Sequence, residues 1–129
     1  KSIPGSAERI YQGGFHFIDF TDVNNPQETA IYQVPEVGSH NHWVEGDILY
    51  AGYYYGGIRV LDISGELLGD LYAQGREIAF FEGRDPNGKI ANETNVWGVI
   101  PYKGLIYFAD HYNGLWAVKL VDEEPLGTN

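Results

Sequence analysis

A unit of short strands recurs along this 129-residue chain, and it constrains the fold more than any other feature. Its fullest copy, residues 40–63, reads HNHWVEGDILYAGYYYGGIRVLDI, and residues 97–120 align with it without a gap as WGVIPYKGLIYFADHYNGLWAVKL. A partial third copy begins at Gly14 and reads GFHFIDF. The matching glycines Gly14, Gly57 and Gly114 are 43 and 57 residues apart. Repeats of roughly 40–50 residues built from short strands are typical of β-propeller blades.

The composition supports a fold made of strands. Aromatic residues make up 15% of the chain, and glycine contributes 17 residues. Aromatic and β-branched side chains favour half-buried strands, whereas glycine suits the tight turns that join them. Extended helical periodicity is missing, since the best helical stretch, residues 75–81, is short and has a glycine at each end. We therefore predict an all-β protein.

The repeat predicts a partial β-propeller of about two and a half four-stranded blades. The predicted division is the latter part of one blade (8–38), a complete blade (39–75), an inserted loop (76–91), the first three strands of a last blade (92–121) and a tail (122–129). The fourth strand of the complete blade is predicted at residues 67–72. Propellers close with roughly four to eight blades, so we expect the C-terminal part of a larger closed propeller. Assembly from several copies, or a partner that covers the open sheet edges, is the alternative.

The charge balance narrows the choice of partner. The chain has 8 basic and 18 acidic residues, which gives a formal net charge of −10 at pH 7. Such a surface repels phosphate groups, so we expect neither nucleic acid nor an anionic membrane as a partner. There is no cysteine, which excludes disulfides and thiolate ligands or nucleophiles. No apolar stretch is long enough to predict a membrane-spanning segment.

Three segments resemble the repeats of LVIVD-type β-propellers. Residues 18–26, IDFTDVNNP, resemble the segment hydrophobic-D-I-S-D-P-x-N-P with which the third strand of each blade ends in that family. Residues 57–64, GIRVLDIS, are similar to the opening of the same segment, and residues 97–116 resemble the last blade. Residues 65–66 are Gly-Glu where the family usually has Asp-Pro, so the turn into the fourth strand must differ.

The resemblance extends from about Gly13 to Val121 and implies a propeller fold. Most members of the family are exported or cell-surface proteins without an assigned activity. The resemblance therefore implies an extracytoplasmic location, whether periplasmic, secreted or on the cell surface. The selenium-binding-protein and methanethiol-oxidase group contains distantly similar propellers in which histidines hold a metal. Fold alone does not transfer that chemistry.

His40 and His42 are the sharpest candidates for metal binding. On a strand, side chains at alternate positions share a face, about 7 Å apart along the backbone. An H-x-H pair of this kind chelates a Zn or Cu ion when another element supplies a third ligand. The alternative is that both rings fill a crowded seam between blades and bond to backbone groups.

Other candidates are a neighbouring acid–base pair and a set of aromatic rings. Asp110 and His111 are potential acid–base partners or metal ligands, although adjacent strand residues face opposite ways, which favours a turn-capping aspartate beside an exposed histidine. Trp43, Tyr53 and Trp97 are potential ligand-binding or channel-lining residues that offer faces to a sugar or a cation. Packing within and between blades is the alternative for these rings.

One further histidine has a simpler interpretation. His16 aligns with Arg59, and both fall on the alternating positions that we assign to the protein surface.

These observations favour a non-catalytic, exported scaffold that binds a protein partner or associates with itself through open sheet edges. No catalytic motif is recognisable, and the predicted blades are too few to close a ring. The first alternative is a metal-dependent, oxidase-like enzyme with Cu or Zn at His40 and His42. The second is a carbohydrate-binding module.

Overall fold

The computed structural model describes residues 13–121, which form ten strands and no helix. The prediction of an all-β protein is confirmed for these residues. The start of the first predicted blade, residues 8–12, and the tail at 122–129 lie outside them. The strands are β1 (Phe15–Asp19), β2 (Gln27–Tyr32), β3 (His42–Glu45), β4 (Ile48–Tyr53), β5 (Gly57–Asp62), β6 (Gly69–Asp70), β7 (Glu77–Phe81), β8 (Val96–Tyr102), β9 (Leu105–Asp110) and β10 (Gly114–Val118).

The ten strands form three separate sheets. The first sheet has the order β1-β2-β6, the central sheet β3-β4-β5-β7 and the last sheet β10-β9-β8. All neighbouring strands are antiparallel except β2 and β6, which are parallel. No described segment is a helix long and apolar enough to cross a membrane.

Strict alternation on β4 and β5 gives the central sheet two apolar faces. Leu61 packs with the first sheet, whereas Ile58 and Val60 pack with the last sheet. On β4, by the same alternation, Leu49 packs with the first sheet and Ile48 packs with the last sheet. Because successive side chains of a strand point to opposite faces, this pattern buries both sides of the sheet.

Two hydrophobic cores therefore lie on either side of the central sheet. We call them the first seam and the second seam. The first seam contains Ala30, Tyr32, Val34, Leu49, Ala51, Tyr53, Leu61 and Leu71. The second seam contains Ile58, Val60, Val96, Val99, Ile106 and Phe108.

The fourth strand of the central sheet is not where the repeat predicted it. Residues 67–72 contribute only the two-residue strand β6, which pairs with β2 of the first sheet, because Leu71 is buried in the first seam and its N–H donates to Ile31 O at 2.9 Å. The strand that pairs with β5 is β7, which lies inside the segment predicted as an inserted loop. After Phe81 that segment does run as a loop, with a turn in which the Gly88 N–H donates to Asp85 O at 3.2 Å.

The repeat extends to the hydrogen-bond register. In the β1–β2 pair the register shifts between Phe17 and Ile18, and in the β5–β7 pair it shifts between Val60 and Leu61. These two positions coincide when Gly14 is aligned with Gly57. A β-bulge bends a strand and changes its twist locally, so its recurrence means that the two pairs share one backbone design.

Candidate functional site

A stack of three aromatic rings lies where the central and last sheets meet. The indole of Trp97 stacks with two imidazoles, with ring centroids 4.8 Å from His40 and 4.0 Å from His111. The interplanar angles are 28° and 16°, so both contacts are stacked. Tyr54 contacts the edges of this set, with centroids 5.3 Å from His40 and 6.3 Å from Trp97. We call these four residues the histidine–tryptophan stack.

Backbone bonds between β4 and the start of β8 hold the stack in place. The Val96 N–H donates to Tyr54 O at 2.9 Å, and the Asn41 N–H donates to Trp97 O at 3.3 Å. Gly52 is required here, because a Cβ at this position would lie 2.7 Å from Trp97 O. This close approach of the Gly52 and Trp97 backbones brings the rings into contact.

The stack limits how Trp97 can bind. Its indole N–H donates to Asn95 Oδ1 at 3.1 Å, and its side chain is 39% exposed although two imidazoles stack on it. A sugar ring binds an indole by covering one of its faces, so it would compete with His40 and His111 for Trp97. Trp43 is also exposed and lies outside the stack.

His40 and His42 pack on different rings. His40 precedes β3 and stacks on Trp97, while His42 opens β3 and contacts Phe15 of the first sheet at 5.1 Å. The strand geometry that would align the two side chains starts only at His42. Within residues 13–121, no group of three or more His, Cys, Asp or Glu side chains is placed to hold a metal ion. The Zn or Cu site therefore stays a prediction.

Asp110 caps a turn, which is the role that the sequence analysis favoured over an acid–base or metal-binding role. It is buried, and Thr94 Oγ1 donates to Oδ2 at 2.5 Å while the Asn95 N–H donates to the same oxygen at 3.0 Å. The N–H groups of Tyr112 and Asn113 donate to Oδ1 at 2.7 and 3.1 Å. Both carboxylate oxygens are thus committed to holding loop backbone, and its exposed neighbour His111 stacks elsewhere.

The sequence interpretation missed a buried polar network in the first seam. Arg59 was assigned to the surface but is only 8% exposed. Its Nη1 lies 3.3 Å from both carboxylate oxygens of Glu77, and its Nε donates to Gly56 O at 2.9 Å. The hydroxyl of Tyr32, from the first sheet, donates to the same carboxylate. His16 is exposed as predicted.

Two tyrosines of this seam have raised pKa values. Burial is the main cause of the rise in the pKa of Tyr32, and the adjacent Glu77 carboxylate raises it further. Burial also raises the pKa of Tyr53, whose hydroxyl donates to Tyr32 O at 3.0 Å. Tyr53 is fully buried, and its ring packs in the first seam. Its role in lining a channel or ligand site stays a prediction.

The outer face of the last sheet is apolar and uncovered by any described residue. The register places Ile100 and Ala117 beside Tyr107, and Tyr102 beside Leu105, on the side away from the second seam. The remaining members are Ala109 and Leu115. Leu115 is 76% exposed and Tyr102 is 59% exposed. Exposed contiguous apolar surface of this kind usually marks a site of association.

The outer face of the first sheet is smaller and mixed. It carries His16 and Ile18 on β1, with Glu28 and Ile31 as their cross-strand neighbours. Nδ1 of His16 lies 2.5 Å from Oε2 of Glu28, and both side chains are about half exposed, at 53% and 52%. The two outermost faces of the molecule therefore differ in chemistry.

An apolar groove of about 190 Å³ lies between β7 and β10. Phe81, Val118 and Leu120 are among its lining residues, and Lys119 is the charged one. This lining offers no acid–base pair.

Comparisons with protein-family models, with curated proteins and with solved structures each gave no match.

Proposed function

We propose that this chain is part of an LVIVD-type β-propeller and acts as a non-catalytic scaffold that binds protein through its sheet faces. The carrying observation is the contrast between the central and last sheets. The central sheet is covered on both faces, whereas the last sheet has one face buried in the second seam and one apolar face exposed. An apolar face of this kind is stabilised when another protein surface covers it.

The propeller part of the proposal is supported by the repetition of the structure. The central sheet has four strands, and its repeat equivalents recur in the last sheet without a gap. The recurring register shift adds a backbone feature to the sequence repeat. The proposed extracytoplasmic location rests on the family resemblance alone.

The non-catalytic part is supported by the roles of the polar candidates. Asp110 is used to hold loop backbone, and Glu77 is used to neutralise Arg59 inside a seam. His40 and His111 are stacked on an indole. A general acid or base needs a titratable side chain within hydrogen-bond reach of substrate, and these groups are already engaged in structure.

A thiol-protection experiment tests the scaffold proposal. The chain has no cysteine, so Leu115→Cys introduces a single thiol on the outer face of the last sheet. Glu66→Cys, in an exposed loop, is the matched control. In an extract of the source organism we expect a maleimide to label the first thiol at least about tenfold more slowly, with equal rates after denaturation, because a partner covers this face. Equal rates before denaturation would refute the proposal.

The two competing proposals have separate tests. A metal-dependent enzyme requires stoichiometric Cu or Zn in the pure protein, and loss of that metal in His42→Ala. A carbohydrate-binding module requires tryptophan fluorescence to change on titration with a panel of glycans, with Trp43 as the exposed reporter.

A further inference from the structure

In the sequence repeat, the outer face of the last sheet corresponds to the face of the central sheet that packs in the second seam. The central sheet contacts the last sheet through Ile48, Tyr50, Ile58 and Val60. The aligned residues in the last sheet, 57 positions later, are Leu105, Tyr107, Leu115 and Ala117. All four are apolar, and all four lie on its outer face. The last sheet therefore presents outward the positions by which the central sheet buries its own neighbour.

The first sheet presents the opposite half of the same interface. On β5 of the central sheet, Arg59 and Leu61 face the first sheet. The residues aligned with them, 43 positions earlier in the sequence, are His16 and Ile18 on β1. The register adds a further match, since Leu61 is the cross-strand neighbour of Glu77 and Ile18 is that of Glu28. The pair of His16 and Glu28 thus occupies the place of the pair of Arg59 and Glu77.

We propose that the outer face of the last sheet binds the outer face of the first sheet of a second copy of this chain. This inference rests on the scaffold function proposed above and names its partner. The first sheet is the described surface with the matching repeat positions, so a head-to-tail contact would reproduce the seams already present inside the chain. The described residues of two copies supply six sheets, and a propeller closes with roughly four to eight blades. A head-to-tail contact forms a closed ring when its rotation closes.

The charges on the two faces are compatible with this contact. The outer face of the last sheet has no charged residue at its repeat positions, and on the first sheet Nδ1 of His16 is hydrogen-bonded to the Glu28 carboxylate. Contact would therefore not leave either of these two side chains buried without a hydrogen-bond partner. The formal net charge of −10 on each copy opposes association at long range. Salt screens this repulsion, so association should strengthen with ionic strength.

The test is sedimentation equilibrium of the purified 129-residue chain with two single-face variants. We expect a mass about twice 14.4 kDa for the unchanged chain. Leu115→Lys and Ile18→Lys each place a charge on one face, and each should raise the dissociation constant more than about tenfold. Glu66→Lys, in an exposed loop, is the matched control and should leave the mass unchanged. Circular dichroism verifies that every variant is folded.

Mixing the two variants identifies which faces meet. Each variant retains one intact face, so an equimolar mixture should form heterodimers through one restored contact. If two last sheets met each other instead, Ile18→Lys would dimerise by itself, which would overturn the inference. A chain that stays monomeric up to about 100 μM, well above a micromolar dissociation constant, would overturn it as well.

Failure of this inference can be separated from failure of the scaffold function. If the pure chain is monomeric but the Leu115→Cys thiol is protected in the extract, a different protein covers the face and only the second-copy inference is wrong. If the pure chain is monomeric and the Leu115→Cys thiol is also unprotected in the extract, both proposals are wrong.

Discussion

The two seams are built on opposite faces of the same strand, yet they use different chemistry. From β5, Arg59 enters the first seam, where it pairs with the carboxylate of Glu77, which also accepts a hydrogen bond from the Tyr32 hydroxyl. The neighbouring residues Ile58 and Val60 enter the second seam, which is lined by aliphatic and aromatic side chains. A repeat thus fixes the position of an interface without fixing its polarity. The first seam depends on matched partners, whereas the second depends on volume.

The largest expected effect comes from breaking the polar pair of the first seam. Glu77→Ala leaves the buried guanidinium of Arg59 with only the longer carboxylate contact, to Glu82 Oε1 at 3.9 Å, and we expect the free energy of unfolding to fall by about 3 kcal/mol. Urea denaturation measures this change, with Glu66→Ala in an exposed loop as the control. The double variant Arg59→Met/Glu77→Leu removes both charges and should recover most of the loss. A double variant less stable than Glu77→Ala would contradict the account.

The same seam should make stability depend on pH in alkaline solution. The pKa values of Tyr32 and Tyr53 are raised above the ordinary value of 10.0, so the folded state keeps both protons where the unfolded state loses them. This stabilisation is complete below pH 10 and declines as the pH rises above it, by up to about 1.4 kcal/mol per pH unit for each tyrosine. Urea midpoints from pH 8 upward measure the slope.

Tyr53→Phe separates the contribution of one tyrosine. The variant loses one titrating group and one hydrogen bond to Tyr32 O, so it should be about 1 kcal/mol less stable at neutral pH and should show a shallower alkaline slope. An unchanged slope would show that Tyr53 does not titrate on unfolding.

The second seam should respond to volume alone. Ile58→Val removes one methylene from a residue that is 2% exposed, and we expect a loss of about 1 kcal/mol. The phenol of Tyr50 packs against this core, but burial raises its pKa from the ordinary value of 10.0, so it stays protonated between pH 6 and pH 9 and the loss should be the same at both. A loss that varied with pH would show that the two seams are not chemically distinct.

The smallest expected effect belongs to the histidine–tryptophan stack. His111→Ala removes one exposed ring from Trp97, and we expect a loss of only about 0.5 kcal/mol. In a background where Trp43 and Trp116 are replaced by phenylalanine, the emission of Trp97 should shift to longer wavelength because one indole face meets water. His16→Ala, distant in the first sheet, should leave the emission unchanged.

Local patterns predicted the strands well where partners were close in sequence. β4 and β5 both lie within the repeat unit of residues 40–63, where apolar alternation and the glycines at 56 and 57 define a hairpin. β7 was missed because its pairing with β5 spans a long connection that includes β6. Local composition gives no signal for such a pairing.

The candidate site was harder to predict than the fold. Three of its members, His40, Trp97 and His111, were singled out from the sequence, but nothing in a linear pattern indicated that they stack on one another. That contact depends on the backbone approach of Gly52 to Trp97. Likewise, Arg59 is buried beside Glu77, which comes from β7, and the Glu77 carboxylate is held in turn by the Tyr32 hydroxyl from a different sheet.

The central claim is that the two uncovered faces are matching halves of one repeated interface. Chemical cross-linking between two single-thiol chains tests it most directly. One chain carries Ile18→Cys, the other carries Leu115→Cys, and a short bis-maleimide joins thiols that lie close together. The account predicts that mixed dimers of about twice 14.4 kDa dominate, well above the yield of either chain alone or of Glu66→Cys. Dominant Leu115→Cys homodimers, or yields no higher than the Glu66→Cys control, would contradict it.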